Sequence, residues 1–126
     1  VRKLSELIHE GSQCRPQGFN GFVQLAGEND EIRTCAIGAA MEAVASAPTR
    51  DGCSYSFHSW ESKGYTGLRE ALGIDIEDDD EASIPYPPEL GYKRERDCIL
   101  EVVAVLNDEY KWTREKIADY LESIGY

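Results

Sequence analysis

Thr34-Cys35-Ala36-Ile37-Gly38-Ala39-Ala40-Met41-Glu42-Ala43-Val44 is a run of unusually small residues entered directly from what reads as a short strand. Ile37, Met41 and Val44 recur at i, i+4 and i+7, the spacing of one helical face, and Thr34 is a candidate N-cap. Side chains this small let neighbouring backbones come close, so the run is expected to be the central, buried helix. Gly38 costs about 1 kcal/mol against alanine in a helix interior, which predicts that something packs tightly there. Pro48 closes the helix.

Upstream, Phe22-Val23-Gln24-Leu25 and Glu31-Ile32-Arg33-Thr34 flank the turn formers Ala26-Gly27-Glu28-Asn29-Asp30, a β-hairpin pattern with a five-residue loop. A Pro/Gly-punctuated loop over 12–21 precedes it. Before that, Leu4, Leu7 and Ile8 predict a helix over roughly 3–10, stopped by Gly11.

Downstream, residues 49–63 read either as a short strand, with Tyr55, Phe57 and Ser59 alternating with Ser56 and His58, or as an aromatic-rich loop. Thr66 is a candidate cap for a helix through Leu68, Ala71 and Leu72 that Gly73 stops. Acids and then prolines fill 75–92, predicting an exposed loop. Cys98, Ile99, Val102, Val103 and Leu106 predict a helix over about 94–106, broken by Asn107-Asp108-Glu109. Thr113 caps a last helix, with Glu115 placed favourably in its first turn and Trp112 and Ile117 spaced as a hydrophobic staple. These last two helices are expected to pair. The pattern is α+β: one mainly helical domain of 126 residues with one β-hairpin.

Twenty-four acidic residues against thirteen Lys and Arg give a formal charge of −11. Such a surface repels nucleic acid and anionic membrane, and it suits a basic protein partner. No apolar run approaches the roughly 20 residues of a membrane span, and residues 1–6 have no signal-peptide core. Cys14, Cys35, Cys53 and Cys98 are scattered with no CxxC pair, so reduced thiols in a cytoplasm are expected, with no metal site and no cofactor.

Three function classes compete. The leading expectation is an interaction or regulatory module that docks a basic partner through Asp75, Glu77, Asp78, Asp79, Asp80 and Glu81, with nearby aromatics such as Tyr65, Tyr86 and Tyr92 as uncharged anchors. The second is a thiol-dependent enzyme. It would use Cys35, whose thiolate a helix N-terminus would favour, with His58 as base and Asn107 or Asp108 orienting that base. Cys35 also reads as a small core residue, and Asn107-Asp108 as a turn satisfying helix ends. The third is a small-ligand binder using Arg15 and Asn107. No P-loop, dinucleotide fingerprint, HExxH or GxSxG motif occurs.

Arg15-Pro16-Gln17-Gly18, Cys35-Ala36-Ile37-Gly38-Ala39-Ala40, Leu106-Asn107-Asp108 and Trp112-Thr113-Arg114-Glu115-Lys116-Ile117-Ala118-Asp119 together resemble a family of small uncharacterised bacterial and phage proteins. That resemblance implies a fold, and a phage or bacterial origin, without an activity. Some relatives carry a CPxC pair and histidines around the Asn-Asp turn, a zinc-like set. This chain has neither.

Overall fold

Two glycines set how closely the helices pack. Helix α1 (Leu4–Ser12) crosses helix α2 (Ala36–Val44) so tightly that a Cβ on Gly11 would lie 1.7 Å from the Ala39 carbonyl oxygen. On the other side of α2, a Cβ on Gly38 would lie 1.9 Å from the carbonyl oxygen of Phe22. The close neighbour that Gly38 predicted is therefore the backbone entering the hairpin. Gly11 does not stop α1; it lies inside the helix, at the crossing point.

The computed structural model describes residues 1–49, 57–92 and 94–126. Of the stretch 49–63, read as a short strand or an aromatic-rich loop, residues 50–56 with Cys53 and Tyr55 fall outside the described residues, whereas His58, Ser59 and the rest through Lys63 are helical instead. The hairpin pairs β1 (Val23–Ala26) with β2 (Glu31–Thr34), in register Val23↔Thr34 to Ala26↔Glu31. It turns over four residues rather than five, with Gly27 and Asp30 both at positive φ. Helix α2 then follows β2 directly and packs against α1, against α3 (His58–Leu72) and against α4 (Ile99–Asp108). It is the central helix, with Ile37, Ala39, Ala40 and Met41 essentially inaccessible. Full burial of a side chain such as Ile37 or Met41 contributes about 1.5–3 kcal/mol.

Several boundaries differ from the local signals. Cys35, not Thr34, caps α2, because Thr34 ends β2 and its side chain is engaged elsewhere. Helix α3 begins at His58, eight residues before Thr66, and Gly73 closes it in the left-handed conformation (φ 72°). Trp60 secures its first turn by donating Nε1–H to the Ser46 carbonyl at 2.7 Å.

Residues 75–92 are not an exposed loop throughout. Glu77 to Glu81 are exposed, whereas Ile76, Ala82, Ile84 and Tyr86 are buried. Strand β3 (Ser83–Pro85) pairs antiparallel with β4 (Arg96–Cys98), a second two-stranded sheet. The amides of Ile99 and Leu100, which open α4, donate to the carbonyls of Ala82 (3.2 Å) and Ile76 (3.0 Å). The acidic turn thus caps a core helix, and its carboxylates lie at the favourable end of the helix dipole. Helix α4 runs on through Asn107 and Asp108 instead of breaking before them.

Helix α5 (Arg114–Ser123) starts at Thr113 as expected, the hydroxyl accepting from the Lys116 amide at 3.1 Å. Its main packing partner is α1 rather than α4, and the Ser5 amide donates to the carbonyl of Tyr126 at 3.0 Å. Among the described residues, no helix is long and apolar enough to cross a membrane.

Candidate functional site

Asn107 is the last buried polar residue of α4, only 1 % exposed, and it uses all of its hydrogen-bonding capacity. Its Oδ1 accepts from the Ala36 amide (3.2 Å) and from Gln17 Nε2 (2.9 Å), while Nδ2 donates to the Gly18 carbonyl (3.0 Å) and to Asp108 Oδ1 (2.8 Å). It ties the loop before the hairpin to the first turn of α2. Asn107 therefore has no free donor or acceptor for a ligand, contrary to the binding role expected of it.

Arg114 forms a second buried hub beside it. Its guanidinium donates to the carbonyls of Ser12 (3.4 Å), Arg15 (2.6 Å) and Thr34 (3.3 Å) and to the Thr34 hydroxyl (3.0 Å). Desolvation lowers its pKa. The cation thus ties the end of α1, the following loop and the end of β2 together through their buried carbonyls. Arg15 is also committed: Nε and Nη2 each donate to a Glu42 oxygen at 2.8 Å, a bidentate pair, and that hydrogen bonding raises its pKa. Its charge is already paired within the fold.

Cys35 stands at the N-terminus of α2, its Sγ accepting from the Gly38 amide at 3.4 Å. Burial pushes the thiol up to about 11, against the pull of the Gly38 and Ile37 amides and of Arg114; Asp108 adds to the rise. Desolvation thus outweighs the helix N-terminus. A thiol pushed that far up is held protonated near neutral pH, which disfavours a nucleophilic role. Iodoacetamide is expected to modify exposed Cys14 rapidly and to leave Cys35 intact until the protein is denatured; fast labelling of folded Cys35 at pH 7.5 would restore the thiol-enzyme reading. A raised thiol pKa contributes stability that is fully present below the unfolded value near 9 and is lost as pH rises through 11. Alkaline titration should therefore destabilise the wild type more than Cys35→Ala across that window.

Cys35, Asn107 and Asp108 line one cleft of about 230 Å³ between α2, α3 and α4. Phe22, Leu100 and Val103 supply apolar wall, and Glu61 of α3 reaches the lining. His58 is exposed and does not line this cleft, so the thiol is not joined there by the base assigned to it. Asp108 Oδ1 accepts from the Asn20 amide at 2.9 Å, which holds the loop at the cleft rim. Among the described residues, no Lys or Arg lines the cleft. It is a mostly apolar slot with two carboxylates in its lining.

The acidic turn lies close to this slot. Phe22 stacks on Tyr65 with centroids 6.2 Å apart. Burial, followed by the charges of Glu77 and Asp75, raises the Tyr65 pKa. The turn is fixed by its own side chains: Asp75 accepts from the Glu77 amide (3.0 Å) and Asp78 from the Asp80 amide (2.9 Å). Among the described residues, Arg69 pairs with Asp75 at 3.7 Å, and no ion pair reaches Glu77 through Glu81.

Asp79, Asp97 and Cys98 also converge, and Asp97 is already engaged. Its oxygens accept from the Cys98 amide (2.9 Å) and the Tyr86 hydroxyl (3.1 Å) and face Arg94 at 3.2 Å, so its charge is already paired. The sequence pointed to Cys35, Asn107 and Asp108 through their helix-end settings. Glu61, Phe22 and Arg114 carry no local signal of their role. Comparison with known protein families, with curated proteins and with solved structures finds no match for this chain.

Proposed function

We propose that this protein is a small acidic interaction module that docks a basic partner protein, with a Lys- or Arg-bearing segment engaging the face that joins the α2–α4 cleft to the acidic turn. The observation that carries this reading is the mostly apolar cleft lined by Glu61 and Asp108, with no cationic residue in its lining among the described residues. An alkyl stem would lie against Phe22, Leu100 and Val103, and its charged head would meet the carboxylates. The five exposed acids Glu77 to Glu81, unpaired among the described residues and fixed in a turn, supply the longer-range field. Such fields steer encounter and weaken with salt.

The test is fluorescence anisotropy with labelled Lys/Leu and Arg/Leu peptides and a Glu/Leu control. Basic peptides should bind and lose about tenfold in affinity between 50 and 300 mM salt. Glu61→Gln/Asp108→Asn should weaken them further, while neutralising 77–81 to Asn/Gln should flatten the salt dependence. Equal binding of basic and acidic peptides, or indifference to both sets of substitutions, would defeat the proposal. Saturable binding of a free alkylamine without any peptide binding would instead support the small-ligand reading of the same cleft.

A further inference from the structure

His9 sits in α1 on the seam with α5, its imidazole between carboxylates of the opposite helix. Nδ1 lies 2.5 Å from Glu115 Oε2. A carboxylate can only accept, so in the neutral ring Nδ1 carries the hydrogen and Nε2 presents its lone pair. Nε2 faces Asp119 Oδ1 at 3.6 Å, too long for a direct hydrogen bond. Asp119 and Glu122 are three apart on α5 and share a helix face. One donor atom from each of His9, Asp119 and Glu122 falls within 4.8 Å of the other two.

Zinc-class ions hold imidazole nitrogen and carboxylate oxygen at about 2.0–2.2 Å, which places neighbouring donors of a tetrahedral ion roughly 3.3–3.6 Å apart. The His9–Asp119 separation matches two ligands of one ion better than a hydrogen bond. Glu115 is not one of the three donors. Its bond to Nδ1 is the outer-shell arrangement that fixes the tautomer of metal-binding histidines.

We propose that His9, Asp119 and Glu122 form a binding site for a zinc-class divalent cation, with water as fourth ligand and Glu115 as the positioning residue. One imidazole among oxygen donors favours zinc, copper or nickel over magnesium and calcium. The site joins α1 to α5, so an ion bound there clamps the two ends of the described chain together and stabilises the fold by mass action.

The experiment is calorimetric titration of Zn²⁺ into the reduced protein, alongside thermal unfolding with and without Zn²⁺. One ion per chain and a raised midpoint are expected, with no response to Mg²⁺. His9→Gln should abolish binding, and Asp119→Asn or Glu122→Gln should weaken it at least tenfold. Glu115→Gln should cost about 10–100-fold while leaving the stoichiometry at one. All four side chains are partly or largely exposed, so the variants should fold. Absence of Zn²⁺ binding, or binding that survives His9→Gln and is lost in Cys14→Ser/Cys53→Ser, overturns the proposal.

Discussion

Gly11→Ala and Gly38→Ala are each expected to lower the thermal midpoint by roughly 10–15 °C, corresponding to about 3 kcal/mol at the upper end of overpacking costs. Alanine is the better helix former by about 1 kcal/mol, so propensity alone predicts the opposite sign. Sterics decides. The added methyl would lie 1.7 Å from the Ala39 carbonyl oxygen at position 11 and 1.9 Å from that of Phe22 at position 38. Both obstacles are backbone and cannot rotate away, so α2 must separate from α1 or from the hairpin entry. Gly67→Ala is the control. It is in α3 with no neighbour nearer than Val44 Cγ2 at 3.5 Å, an ordinary contact, and should raise the midpoint slightly. Denaturation curves that rank all three alike would mean that the close crossings do not exist.

Gly38 was legible because a glycine inside a small-residue helix demands a close neighbour, and Thr113 because capping is decided within four residues. Gly11 was misread because a glycine near a helix end gives the same local signal whether it stops the helix or lets another pass. The late start assigned to α3 has a similar cause. Gly64, Gly67 and a polar first half hide a helix that Trp60, Gly64, Leu68 and Leu72 bury along one face. In 75–92 the charges and prolines dominated the reading, although Ala82, Ile84 and Tyr86 alternate with Ser83 and Pro85 as a half-buried strand does. The buried positions won because Ile76 and Ala82, at the two ends of the acidic turn, satisfy the first amides of α4.

At the site, Cys35, Asn107 and Asp108 stood out individually, but their convergence depends on α4 reaching back across α2, which no local pattern encodes. Arg114 is the clearest omission. An arginine at the first helical position ordinarily reads as solvent-facing, and only the fold brings the carbonyls of Ser12, Arg15 and Thr34 around it. His9 and α5 meet for the same reason, from opposite ends of the chain.

Asn107→Leu should therefore be among the most damaging single substitutions, costing about 3 kcal/mol despite its similar branched shape. Leucine would leave the Ala36 amide and the Gly18 carbonyl without their side-chain partner, and Gln17 with only the Trp112 carbonyl at 2.8 Å; each buried unsatisfied group costs about 1–3 kcal/mol. Asn107→Asp separates the donor role from the acceptor role. Its oxygens can still accept from Ala36 and Gln17, but an ionised carboxylate cannot donate to Gly18 and would repel Asp108. Only the protonated acid can donate, so its folded-state pKa should be raised. Stability associated with that proton is fully present below the unfolded carboxylate range and is lost as pH rises through the folded value. The midpoint deficit of Asn107→Asp against wild type should accordingly shrink between pH 7 and pH 5, while that of Asn107→Leu stays constant. A deficit independent of pH in both variants would mean that the donor bond to Gly18 contributes little, and that Asn107 holds α2 chiefly through its carbonyl oxygen.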